Sequence, residues 1–252
     1  MDLGIKNRLA LVTGASRGIG RAIAVALARE GARVILVARS AELLEAVRRE
    51  IATPDRPHHT YAIDLMADDG VPKLVQSISN DLGAPEIMVH NLGGSCGVNK
   101  TFAPAADWRK VWQYNLGIAH DLNCAFIPGM AARRWGRIVH LTTLSTKTFH
   151  GYPPHVAAKC AVDGYVSTVN REVSKDNVII SAVAPGTIYS EGRWFAKIQK
   201  EDPAALQEYF KKHLPTNRLG LAEDIGPVVS FLCSDYASFM AGSIVRVDGG
   251  GM

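Results

Sequence analysis

The chain has 252 residues, long for one domain and short for two, and 47% of them are hydrophobic, enough for a sizeable core. A formal net charge of +4 suits a small anionic ligand but falls far short of the basic stripe of a nucleic-acid binder. No apolar run reaches the roughly 18 residues needed to cross a bilayer, and Met1–Lys6 lacks the basic-then-apolar pattern of a signal peptide, so a cytoplasmic address without membrane contact is expected.

Along the chain, short β-branched or apolar runs alternate with segments of helical period. The predicted strands are Leu9–Thr13, Arg33–Val37, His59–Ile63, Ile87–His90, Arg137–Leu141, Val178–Val183 and Ile244–Val247. Helices are predicted near 18–30, 41–52, 70–82, 107–134, 154–175 and 222–234. Several strands are apolar on both faces, as strands covered from both sides require. The expectation is an α/β fold: one doubly wound, Rossmann-type parallel sheet of about seven strands, formed by residues 1–252 as a single dinucleotide-binding domain. Residues 187–216 break the alternation and read as a helical excursion, expected to act as a substrate lid with Trp194, Phe195, Tyr209 and Phe210 as its apolar face.

Between the first strand and the first helix stands Thr13-Gly14-Ala15-Ser16-Arg17-Gly18-Ile19-Gly20. Glycines permit a tight turn and close approach of backbone to a diphosphate, and the helix start adds free N–H groups and the positive end of a dipole. The spacing is G-x-x-x-G-x-G rather than the commoner G-x-G-x-x-G. Cys96, Cys124, Cys160 and Cys233 contain no C-x-x-C pair, so reduced, mostly packed thiols are expected. His58, His59, His90, His120, His140, His150 and His213 lack metal-ligand spacing and read as surface or satisfied core residues; no metal is expected.

Nearly the whole chain resembles the short-chain dehydrogenases/reductases, from Thr13-Gly14 to Val247-Asp248-Gly249-Gly250. Asp64-Leu65, Asn91-Leu92-Gly93, Asn115, Lys159 and Pro185-Gly186 carry the resemblance between these ends. It implies a nicotinamide cofactor held by Gly14, Ser16, Arg17, Gly18, Ile19 and Gly20, with Asp64 and Leu65 at the adenine and Asn91 and Gly93 after the fourth strand. It further implies Lys159 on the ribose, Pro185 and Gly186 beside the nicotinamide, and Ile188 at its carboxamide. The usual Asn-Asn-Ala-Gly here reads His90-Asn91-Leu92-Gly93, which is expected to alter packing more than cofactor binding. Members that prefer NAD carry an acid after the second strand. This chain has Arg39 there, and Arg39 with Arg17 suits a 2′-phosphate, so NADP(H) is the expected cofactor.

The family's chemistry is hydride transfer between nicotinamide and a carbonyl/alcohol carbon, as in the 3-oxoacyl reductases. It uses an Asn, a Ser, a Tyr and a Lys four residues after the Tyr. Here Asn115 and Lys159 are kept, Thr143 stands for the Ser, and His155 stands where the Tyr belongs. Three readings stay open. His155 is the proton donor, on the same helix face as Lys159 and weakened by it. Alternatively, Tyr152 is the acid, in the Tyr152-x6-Lys159 spacing of the enoyl-thioester reductases, although Pro153-Pro154 puts it at or before the helix start. In the third, the chain binds NADP(H) without turnover, as a sensor or partner subunit. The substrate is expected to be a small molecule, with an acyl thioester or other anionic carbonyl compound as a candidate for Lys197, Lys200, Lys211, Lys212 and His213, though a solvated helix face is the favoured reading of that charge. A homotetramer is expected, assembled through the two long helices and the C-terminal segment.

Overall fold

The computed structural model describes residues 1–192 and 194–251; Arg193, within the expected lid, and Met252 lie outside the described residues. The strands are β1 (Leu9–Thr13), β2 (Arg33–Ala38), β3 (His59–Ala62), β4 (Ile87–His90), β5 (Gly136–Leu141), β6 (Val178–Pro185) and β7 (Ile244–Val247). They form one parallel sheet in the order β3-β2-β1-β4-β5-β6-β7. The order reverses between β1 and β4, which opens a crevice above their carboxyl ends.

Alternation along each strand sends side chains to opposite faces. Ala10 and Val12 of β1 join Val34, Leu36, Val89 and Val139 in one core, packed against α1 (Gly18–Arg29), α2 (Ala41–Glu50) and α10 (Ala222–Leu232). Leu9 and Leu11 join Ile35, Val37, Met88 and Ile138 in the other. That face is covered by α3 (Gly70–Asp81), α5 (Ile118–Ala132) and α7 (Pro153–Val173), through residues such as Leu74, Phe126 and Val162. Burying each such aliphatic side chain contributes about 1.5–3 kcal/mol, so a strand apolar on both faces is anchored twice.

The predicted helix over 107–134 is interrupted. It consists of α4 (Ala105–Trp112), a π-helical turn at Gln113–Gly117, and α5. At this turn the Asn115 side-chain Nδ2 donates to Val111 O at 2.8 Å, the carbonyl its own backbone N–H would take in an α-helix. Between β5 and α7 lies the short α6 (Ser145–Thr148). The excursion after β6 holds α8 (Trp194–Glu201) and α9 (Pro203–His213). Phe210 and Leu206 of α9 are buried, and the Phe195 and Tyr209 rings pack 4.9 Å apart. Trp194, expected on the apolar face, is instead 58% exposed.

Of the cysteines, only Cys233 is fully buried; Cys124 is exposed and the other two are half-buried, so the expectation of mostly packed thiols holds for the one on α10's end alone. His90 and His140, at the ends of β4 and β5, are deep in the core. His90 Nε2 meets Asn123 Oδ1 at 2.8 Å, and Asn123 Nδ2 donates to the Tyr165 hydroxyl at 3.1 Å. Not every histidine atom is satisfied: His90 Nδ1, His58 Nε2 and His59 Nε2 are buried without a protein partner. Among the described residues no group of three metal-ligating side chains converges.

Candidate active site

The β1–α1 turn makes a cradle. Gly14 and Gly18 take φ values of +66° and +56°, which side chains disfavour. Nothing lies near the place where a Gly18 Cβ would stand, so this glycine serves conformation and leaves the space above it open. Gly20 serves proximity: a Cβ there would collide with the Gly14 carbonyl oxygen and sit 2.6 Å from Asn91 Nδ2. Arg17 is the N-cap of α1 but makes no side-chain cap bond, so the amides of the first turn are left for an anion. Asn91 works on the cradle's shape. Its Nδ2 donates to Thr13 O at 3.0 Å and Gly14 O at 3.3 Å, and its backbone N–H donates to Thr13 Oγ1 at 3.1 Å.

From this turn a cleft of about 940 Å³ runs across the carboxyl edge of the sheet. Gly14, Ser16, Arg17, Gly18, Ile19 and Gly20 line one end; Arg39, Asp64 and Leu65 line its flank; Asn91, Gly93 and Ile188 line the remainder. Arg17 and Arg39 are both exposed, and neither forms an ion pair among the described residues. Sequence reasoning missed Lys110, Tyr114 and Ser190, which also line the cleft. Lys110 and Tyr114 lie one helical turn apart just ahead of Asn115, a periodicity that could have marked them.

Pro185 and Gly186, expected beside the cofactor, do not line the cleft. A Cβ on Gly186 would lie 2.6 Å from the Asp248 Cα, and its N–H donates to Val247 O at 3.0 Å. This glycine closes the seam between β6 and the C-terminal turn, two residues before Ile188 of the cleft lining.

Lys159, Asn115 and Gly93 meet beneath the cleft. A Cβ on Gly93 would stand 2.7 Å from Lys159 Nζ and 2.8 Å from Asn115 Oδ1, so only glycine fits between them. Asn115 is locked in place: Oδ1 accepts from Gly94 N at 3.0 Å, and Nδ2 donates to Gly94 O and Val111 O, each at 2.8 Å. Lys159 Nζ donates to Leu141 O at 2.6 Å. Its side chain is buried, and burial pulls the ammonium down to about 8 against the opposing pull of Asp163.

His155 lies one turn before Lys159 on α7, half-buried, with no hydrogen bond among the described residues. Burial, reinforced by the Lys159 charge, pushes its imidazole down to about 4, so the ring is neutral at pH 7. Thr143, two residues past the end of β5, accepts a hydrogen bond from Ser145 N at 3.2 Å on its hydroxyl oxygen. Tyr152 is the N-cap residue of α7, in extended conformation and 48% exposed, because the helix begins with Pro153 and Pro154. It therefore stands outside the helical repeat that aligns His155 with Lys159.

Residues 14–251 match the family described as "Enoyl-(Acyl carrier protein) reductase". The chain is 34% identical over 249 residues to the 3-oxoacyl-[acyl-carrier-protein] reductase of Pseudomonas aeruginosa, covering 98% of each. Among solved structures it is similar to L-sorbose reductase from Gluconobacter frateurii, complexed with NADPH and L-sorbose (TM-score 0.92, 32% identity, 100% of this chain and 99% of that one). It is also similar to a 3-oxoacyl (acyl-carrier-protein) reductase from Agrobacterium tumefaciens with NADP bound (TM-score 0.89, 29% identity, 99% and 96% covered). With a glycine cradle, Arg17 and Arg39 lining the cleft without ion pairs among the described residues, and a buried lysine beneath it, the chain belongs to the short-chain dehydrogenase/reductase family, as an NADP-dependent oxidoreductase of the 3-oxoacyl-reductase-like kind.

Proposed function

We propose that this protein reduces a carbonyl compound, or oxidises the matching alcohol, with His155 as the group that meets the substrate oxygen. The observation that carries this reading is the placement of His155 one turn from the buried Lys159, with its ring unpartnered. Arg17 and Arg39 would hold the 2′-phosphate of NADP(H), the amides after Gly18 its diphosphate, and Lys159 its nicotinamide ribose. When bound, the nicotinamide supplies or accepts the hydride. His155 donates an imidazole N–H to the substrate oxygen as it gains charge, and Thr143 donates its hydroxyl to the same oxygen. The neutral ring is a weak acid by itself. The Lys159 ammonium one turn away, at about 8, is the adjacent proton source.

The substrate class we propose is a ketone such as a 3-oxoacyl thioester or a ketose, from the names of the relatives. Lys197 pairs with Glu201 at 3.7 Å and Lys211 with Glu208 at 3.9 Å, which favours a solvated face over an anion site on α8 and α9. Residues 1–252 act as one unit in the cytoplasm, with 187–216 as the lid. Trp112 on α4 and the fully exposed Phe239 near the C-terminus support a homotetramer, which a measured solution mass tests.

The enoyl-thioester reading draws support from the description of the matching family and assigns the acid to Tyr152. His155→Ala and Tyr152→Phe separate the two, assayed with NADPH against ketones, 3-oxoacyl thioesters and enoyl thioesters. Loss of ketone turnover in His155→Ala alone is expected. Loss in Tyr152→Phe alone would overturn the assignment of His155.

A further inference from the structure

The Thr142 hydroxyl donates to Asp163 Oδ1 at 2.6 Å. Asp163 lies four residues after Lys159 on α7, so both side chains rise from one helix face. Lys159 Nζ meanwhile donates to the carbonyl of Leu141, the residue before Thr142. Two consecutive residues of the β5 end are thus tied to two residues one turn apart on α7. Thr143 follows immediately, held on its other side by Leu144 N donating to Pro185 O at 2.9 Å.

We propose that Asp163 is a positioning residue with two partners: through Thr142 it sets the place of Thr143, and its carboxylate is the counter-charge of the Lys159 ammonium. The charged or titratable groups acting on Lys159 are few. On α7 these are Asp163 and His155; from β5 comes His140, and both imidazoles are held neutral by burial. Asn115 and the Gly93 backbone approach as uncharged dipoles. Around Asp163, Cys160 feels both this carboxylate and Lys147 of α6. Among the described residues Asp163 is therefore the single anionic group opposing the burial of Lys159. Without it, the ammonium would lose its proton at lower pH. The clamp rests on the reading that Lys159 serves the nicotinamide ribose, but its charge arm can be measured with no cofactor present.

The test follows the Cε resonance of Lys159 in cofactor-free, ¹³C-lysine-labelled protein titrated with alkali, assigned by its disappearance in Lys159→Met. Asp163→Asn keeps an oxygen for the Thr142 hydroxyl and removes the charge; it is expected to lower the midpoint by about one pH unit. Asp163→Ser serves as the neutral variant should Asn fail to fold. Thr142→Val keeps the charge and removes the tie; it is expected to leave the midpoint in place, and with NADPH and ketone to lower kcat while leaving NADPH affinity near wild type. An unmoved midpoint in the neutral variants overturns the charge arm. An equal shift in Thr142→Val overturns it too, because packing rather than charge would be the cause. Unchanged kcat in Thr142→Val overturns the positioning arm. If the wild-type protein turns over no ketone, the carbonyl reading fails while the midpoints still decide the role of the carboxylate.

Discussion

Acidification tests the placement of two imidazoles in the core. His90 is 5% exposed and His140 1% exposed, with ring centroids 4.6 Å apart. Burial pushes His90 down to about 4, and burial with the His90 and Lys159 charges pushes His140 well below the usual histidine range. In the unfolded chain each titrates near ~6.5. The folded values are lower, so below that pH the unfolded state binds more protons, and stability falls as pH drops from about 6.5 toward the folded values. From pH 7 to pH 5 each ring contributes a loss of ~2 kcal/mol, together ~4 kcal/mol of the 5–15 typical for a domain. Urea titrations at pH 7, 6 and 5 would measure it, comparing wild type with the double variant His90→Asn, His140→Asn. The comparison cancels the carboxylates, which titrate in both proteins. Wild type should lose ~4 kcal/mol more than the variant over that range. Parallel pH dependences in the two proteins would refute the claim that these rings are neutral and unable to reach water in the fold.

Three further outcomes follow from the site. Ketone reduction should show no titration near 6.5 and an alkaline limb near 8, since His155 is already neutral and activity fades as Lys159 loses its proton; a limb near 6.5 in kcat/KM would show that His155 ionises ordinarily. Gly93→Ala should cut turnover on the order of 100-fold, because its methyl displaces Lys159 Nζ and Asn115 Oδ1 together, and wild-type rates in that variant would show that the junction is slack. Replacing Arg17 and Arg39 by alanine should weaken NADPH binding by about 100-fold with little change for NADH, measured by cofactor fluorescence; equal losses for both would remove the 2′-phosphate contact.

Much of the cofactor end was legible because its requirements are local. A strand, a glycine turn and a helix start follow one another without interruption, so the position of Gly14, Gly18 and Gly20 between β1 and α1, more than their spacing, marked the turn. Arg39 was readable by its position directly after β2. The π-helical turn was not: there the Asn115 amide takes Val111 O while gripping Gly94, a contact 21 residues distant. The contact of Gly186 with Asp248 was not legible for a similar reason: β7 brings the two together from 62 residues apart in the chain.

Periodicity and punctuation by themselves determined the strand and helix series, the parallel sheet and the place of the crevice, because side-chain burial on two faces imposes a pattern that short windows contain. Only the tertiary structure decided how the titratable groups around the cleft behave. The sequence foresaw the pull of Lys159 on His155 from their spacing on one helix, but not the burial that is its larger cause, nor the softened ammonium of Lys159 or the tie of Thr142 to Asp163. Desolvation and Coulomb forces act through space, and a linear chain does not state which of its charges will share a dry interior.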